Sequence, residues 1–483
     1  MPSIINTNMM SLNSQRHLNA TQSSLARAME RLSSGKRINS AKDDAAGLGI
    51  AERMTSQING MNQAIRNARD GISLGQTAEG ALSTMNDMLQ RVRVLAVQSS
   101  NATNSPADRQ ALQDEVGQLV SELNRLAEVT TFNGQFLLNG TMGTQYFQVG
   151  PNAGEVIGAN GTNFMTNTYG NYRVEQDGVT PIAAPVTKTG GDVKITGYKG
   201  SADLTITATD TARTLVGKIN NLTGDTGVTA TAKTTAHLSL NPNATYALNV
   251  TSNNGTPVIV SFATGPDVSL SDSFAAAINA FNAQSAKTGV SAEYDAINQG
   301  IRLVNANGND ITIENTLAAV SNLFAYQADW QTLVAGGISA NTPGATAFGT
   351  VTLDSPNSFV VEDNPTGSPE YTLAGTGFLM AVSSLDVTTF VNAQKALAIV
   401  DSALVHIVGE MARYGALQAR FEATISNLEV TAENMTNSRS RIEDADFSQE
   451  TAALARATIL QQAGTAMLAQ ANQIPQMVLN LLQ

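Results

Sequence analysis

The sequence predicts an α+β protein in which both chain ends form a long α-helical coiled-coil rod, with small β-rich α+β modules inserted at its far end. Three observations carry this reading. Of the 39 glycines, 24 lie in 151–383 and only 3 in 384–483. Nine of the 13 prolines lie between 181 and 369, so chain reversals concentrate in the middle. Apolar residues recur every three or four positions at both ends, as on one face of a packed helix.

Composition narrows the function classes. Cysteine is absent from the 483 residues, which excludes disulfides, thiolate metal sites and cysteine nucleophiles. A net charge of −12 argues against nucleic acid as a partner. No run approaches the ~18 apolar residues of a membrane span, so membrane insertion is not expected. The first eight residues lack a basic flank and an apolar core, so a cleaved secretory signal is not expected either.

The N-terminal segment is weakly amphipathic. Ile4, Leu18, Leu25 and Leu32 share one seven-residue spacing, interrupted by Ser11. Residues 30–51 read as a joint: Gly35 ends one helix, Asn39 or Ser40 caps the next, and Asp43 completes a capping pair. Met54, Ile58, Met61, Ile65, Ala68 and Ile72 then step by four and three, a coiled-coil pattern. It weakens at Gly75 and Glu79 and resumes from Leu82. Ser105, Pro106 and Asp108 start a further helix, and a β-hairpin region follows it. Towards the C-terminus, Leu404, Ile407, Met411, Phe421, Ile425 and Leu428 hold a long seam broken by Gln418. At 1.5 Å per residue the two stripes span roughly 70 and 80 Å, so they are expected to pack side by side.

The last segment places Leu460, Met467, Ile474 and Leu481 on one heptad spacing and Ala457, Gly464, Ala471 and Val478 beside them. Small residues bury little area, so both termini are expected to be disordered in the free monomer and helical only on assembly. Pro475 is expected to kink or end the last helix.

The middle carries an internal repeat. Ile219-Asn220, Thr226–Ala230 and Leu238–Leu240 recur as Ile278-Asn279, Thr288–Ala292 and Ile301–Leu303. The expected division is 1–42 with 444–483 (terminal domain), 43–175 with 390–443 (rod) and 176–389 (insertion). Within the insertion, repeated modules are expected near 190–255 and 256–318, with 319–389 beyond them. No catalytic constellation emerges: the His-Glu-x-x-His, Walker and Gly-x-Ser-x-Gly patterns are all absent. His406 reads as a packed or partly exposed helical residue, not as a ligand or base. No cofactor, no metal and no enzymatic activity are expected.

The segments ERLSSGKRINSAKDDAAGLGIA (30–51), LQRVRVLAVQ (89–98), SRSRIEDADFSQE (438–450) and ILQQAGTAMLAQANQIPQMVLNLLQ (459–483) closely resemble the signatures of bacterial flagellins. The resemblance covers about the first 150 and last 100 residues. It implies a structural subunit, exported unfolded by the type III route, that polymerises through its terminal helices into an extracellular flagellar filament for motility. It also implies as partners further copies of the chain, an export chaperone on the C-terminal helix, the filament cap and hook-associated proteins, and host flagellin receptors. On that resemblance Leu89, Gln90, Arg91, Leu95 and Glu115 would form the surface read by the animal receptor, with Val94 a departure from the usual acidic residue. The alternatives are a hook–filament junction protein, or an adhesin-like module carried by the insertion.

Overall fold

The computed structural model describes residues 7–184, 186, 188–341, 343–363, 371 and 373–481, with side chains to residue 473. Its helices are α1 (Met9–Ser34), α2 (Ala45–Ser99), α3 (Pro106–Val129), α4 (Ala212–Asn221), α5 (Thr223–Thr226), α6 (Ala275–Ala283), α7 (Ser285–Thr288), α8 (Phe390–Glu443) and α9 (Phe447–Leu481). The strands lie between α3 and α8, so the chain is helical at both ends and β-rich in the middle. Two compact units share it: 1–78, 142–161 and 413–483 in the first, 79–141 and 162–412 in the second.

In the first unit, the N-terminal part of α2 packs on the C-terminal part of α8. Ile58, Met61, Ala64 and Ile65 bury against Leu428 and Ala432, with Ile425 and Met435 at the margin. The weak point in the heptads has a steric cause. A Cβ on Gly71 would meet the Phe421 ring at 2.6 Å, and one on Gly75 would meet Gln418 at 3.2 Å. The interruptions on the two helices therefore face each other: glycine makes the space that Phe421 and Gln418 fill. A hairpin of Thr144–Gln148 and Val156–Asn160 closes this core, with Val149, Ile157 and Phe147 against Ala68 and Phe421. The Phe147 and Phe421 rings meet edge to face at 5.5 Å.

Both terminal segments are helical, and α1 and α9 pack against each other within the chain. Helix α9 runs through Pro475 to Leu481, so the proline does not end it.

In the second unit, Leu82, Met85, Leu89, Val92 and Leu95 of α2 are buried, as are Val116 and Leu123 of α3 and Ile399, Val400 and Ile407 of α8. Arg93 pairs with Asp401 at 2.7 Å and Arg91 with Glu115 at 2.7 Å, tying α2 to both neighbours. Ser105 caps α3 with a reciprocal bond from Asp108, and Pro106 follows it, as the sequence predicts.

The inserted strands of this unit form three antiparallel sheets built on a repeated hairpin–helix–strand plan. Gly191–Thr196 and Ser201–Ile206 precede α4; Thr245–Thr251 and Val258–Ala263 precede α6. The hairpin of Thr245–Thr251 and Val258–Ala263 spans the boundary expected near 255. The helix alignment needs correcting. Asn220 bonds both the amide and carbonyl of Ala230, and its counterpart is Asn282 on Ala292, not Asn279. Gly227 and Gly289 close the two helical segments at φ +76° and +71°, where a side chain would be strained. The long strand Thr229–Leu240 pairs with Thr350–Ser355, Gly300–Asn305 and Ser321–Ala325. Much of 319–389 thus completes sheets begun by the repeats.

Candidate functional site

The α1–α9 pair is assembled from small side chains. Ser11 and Ala28 on α1, and Ala457 and Ala471 on α9, are buried. Gly464 faces Leu18, whose Cδ1 would lie 3.4 Å from an added Cβ. Leu18, Leu25 and Leu32 are half-buried. Polar contacts fix the ends of the pair. Asn8 caps α1 by accepting from Ser11 N and donates Nδ2 to Ala471 O at 2.8 Å. Ser11 Oγ donates to Asn472 Oδ1 at 2.8 Å, and Arg31 reaches Glu450 at 3.5 Å.

The other faces of these helices stay in solvent. Leu460 and Met467 are 53% and 62% exposed, and Met9, Met10, Leu12, Met29, Phe447 and Ile459 are exposed with them. Ile4 and the side chains of Ile474, Val478 and Leu481 lie outside the described residues.

The joint between α1 and α2 is a bonded corner. Gly35 adopts φ +72° and returns its N–H to Arg31 O. Arg37 N donates to Glu443 O at 2.6 Å, its guanidinium bonds Ile442 O, and Ala445 N donates to Gly35 O at 3.0 Å. The cap differs from expectation. Asp44, not Asn39 or Ser40, caps α2 by accepting from Gly47 N at 2.8 Å. Ser40 and Asp43 form a separate turn, whose hydrogen bonds hold the Asp43 carboxyl below the usual carboxylate range.

Of the other candidates, Ile58, Met61, Ile65, Ile407, Phe421 and Leu428 are buried, and Met54, Ile72, Leu404, Met411 and Ile425 are half-buried. The residues matched to a receptor surface divide. Gln90 and Arg91 are exposed and Glu115 is partly so, whereas Leu89 and Leu95 are 0% and 1% exposed. The helical period turns those two leucines into the helix core, so they offer no surface. His406 Nε2 meets the Pro356 carbonyl oxygen, as a packed helical residue would.

One cluster escaped the sequence reading. His237 is buried, with Nδ1 3.4 Å from Asp295, which also accepts from the Tyr326 hydroxyl. Burial pushes the His237 pKa down, keeping the imidazole neutral. Strand alternation would send residue 237 to solvent, but the Phe324 and Tyr326 rings flank it on that face, with centroids 6.0 and 6.2 Å away. Close by, Arg302 donates to the Trp330 carbonyl at 3.1 Å, and Lys233 Nζ lies 3.7 Å from the centre of the indole ring. Trp330 holds φ +56°, a strained conformation for so bulky a residue. It walls a cleft of about 360 Å³ that also includes Arg173, Asp354 and Phe390.

Comparison with known proteins decides the family. Residues 5–142 match the bacterial flagellin N-terminal helical region, 397–482 the C-terminal helical region, and 192–254 the flagellin hook IN motif. A B-type flagellin of Pseudomonas aeruginosa is 40% identical over 99% of both chains. The chain belongs to the bacterial flagellin family. A flagellin of Salmonella typhimurium is 37% identical over the whole of both chains, and polar flagellin C of Vibrio parahaemolyticus 34% over 99% of each. The family is structural, not enzymatic, and the chain is a subunit of the flagellar filament that serves motility. Its partner is therefore further copies of itself. No described helix is long and apolar enough to cross a membrane.

Proposed function

We propose that this chain polymerises through its terminal helices, with α1 and α9 as the assembling element and the insertion facing outward. The observation that carries this reading is the division of labour on α9. Its small residues (Ala457, Gly464, Ala471) turn inward to α1, and its large ones (Leu460, Met467) remain uncovered. At about 25 cal/mol per Å², covering such side chains in neighbouring copies gives the favourable term that a polymer needs. In the sequence Ile4, Ile474, Val478 and Leu481 continue these heptads, and we assign them to the same polymerisation role.

Before assembly that apolar face has to be hidden, which fits an export chaperone on the C-terminal helix. A chain without cysteine and with 14% charged residues suits unfolded passage through a type III channel to the cell exterior. The filament cap and hook-associated proteins are the partners at the filament ends. Gln90, Arg91 and Glu115 form the exposed patch for a host receptor, without Leu89 and Leu95. The functional division is 1–42 with 444–483 for the tube, 43–175 with 390–443 for the rod, and 176–389 for the outer insertion.

The experiment is seeded growth of purified monomer, followed by negative-stain electron microscopy. The full chain extends the seeds, and a chain lacking 1–42 and 444–483 does not. Equal growth by both removes the terminal helices from assembly.

A further inference from the structure

The α1–α9 seam has a register problem. Its small residues recur every seven positions on α9, at Ala457, Gly464 and Ala471, and the leucines of α1 keep the same period at Leu18, Leu25 and Leu32, with Gly464 facing Leu18. A slide by one heptad would restore nearly the same fit. Beside Ser11–Asn472 and Arg31–Glu450, one polar contact of the α1–α9 seam answers a specific vacancy.

That contact lies at the end of the pair. In an α-helix the carbonyl of residue 471 accepts from the amide of residue 475. Here residue 475 is proline, which has no N–H. Helix α9 nevertheless continues through it to Leu481. Ala471 is 6% exposed, so water does not readily reach the orphaned carbonyl. Asn8 Nδ2 donates to that oxygen at 2.8 Å, while Asn8 Oδ1 accepts from Ser11 N at 3.1 Å. An amide side chain is the type that presents an acceptor to one helix and a donor to another. Asp, Ser or Thr would cap α1 as well, but aspartate would turn a second acceptor towards Ala471. Ser11, buried and bonded to Asn472 at 2.8 Å, backs the contact one turn on.

We propose that Asn8 is a positioning residue: it sets the register of the terminal helices by supplying the hydrogen bond that Pro475 withholds from Ala471. A slide of α1 towards the start of α9 breaks this bond, since from Phe447 to Met477 every carbonyl other than that of Ala471 has an N–H four residues on within the helix. The inference rests on the reading that the terminal helices drive assembly. It assigns what aligns them.

The test is a double-substitution cycle. Asn8→Asp keeps the cap and removes the donor. Pro475→Ala returns an N–H to Ala471 and makes the donor redundant. Hydrogen exchange of α1 in the full-length monomer should accelerate about tenfold in Asn8→Asp, the weight of roughly one hydrogen bond. In the Pro475→Ala background the same substitution should change it by less than about twofold. The concentration of monomer left after seeded growth should follow the same pattern. An equal effect of Asn8→Asp in both backgrounds, or no effect in either, overturns the proposal. Seeded growth of the unaltered chain is read separately. If it grows and the cycle shows no coupling, the register lock falls and the assembly reading stands. If the cycle couples and nothing grows, the lock stands and the assembly reading falls.

Discussion

Within the first unit two helix pairs solve the same problem in opposite ways. The α2–α8 pair buries Ile58, Met61, Ile65 and Leu428 and seats Phe421 in the notch left by Gly71. The α1–α9 pair buries serine and alanine and leaves its large apolar residues in solvent. The first is finished within one chain. The second turns small residues to its internal partner and leaves Leu460 and Met467 in solvent. The contrast separates two uses of a heptad pattern: large residues facing inward make a core, and small residues facing inward make a component.

That contrast can be broken by substitution. Gly464→Trp has the largest expected effect, complete loss of seeded filament growth, because an indole cannot fit beside Leu18. The α2–α8 core, followed by urea unfolding, should shift by less than ~0.5 kcal/mol. Filaments of normal yield would refute the small-residue seam. Phe421→Ala should do the reverse. It should lower monomer stability by about 3–5 kcal/mol, the usual cost of emptying a buried aromatic site. A loss below ~1 kcal/mol would mean that the Gly71 notch does not depend on its ring.

A third measurement sharpens the comparison from the insertion. Burial pushes the Asp210 carboxyl up, but bonds from Lys218, Thr207 and Thr214 outweigh it and leave the pKa at about 2. A carboxyl lowered from 3.8 stabilises the fold above that value, and the contribution fades as pH falls towards 2. Between pH 5 and 2 the insertion should lose about 2 kcal/mol through this group. Asp210→Asn should lack that part of the pH dependence, and identical profiles would dismiss the assignment. The smallest effect belongs to Arg31→Ala. Its pair with Glu450 is partly solvated at 3.5 Å, so the change should stay below ~1 kcal/mol by hydrogen exchange of α1.

The sequence made the local features legible. The 4/3 stripes located α2 and α8, and Ser105, Pro106 and Asp108 located the start of α3, because each signal lies within one or two turns. Long-range features were not legible. The covering of His237 depends on pairing between residues some 85 positions apart, through Phe324. The repeat was visible, but its helix register was three residues off, because Ile-Asn occurs at both 219 and 278 while the structural counterpart of Ile219-Asn220 is Phe281-Asn282. Leu89 and Leu95 lie in the same linear motif as Gln90 and Arg91, and the helical period, which a motif does not display, turns them inward.

The solitary tryptophan has an optical consequence. Trp330 lies in the insertion, on a left-handed turn beneath the Lys233 ammonium. All tryptophan emission from this protein therefore originates at one point, tuned by a cation against the indole face. A fluorescence melt will follow that corner of the insertion alone, while circular dichroism will be dominated by the long helices. If the two curves separate, the protein carries its own two-colour record of which region opens first, with no dye attached.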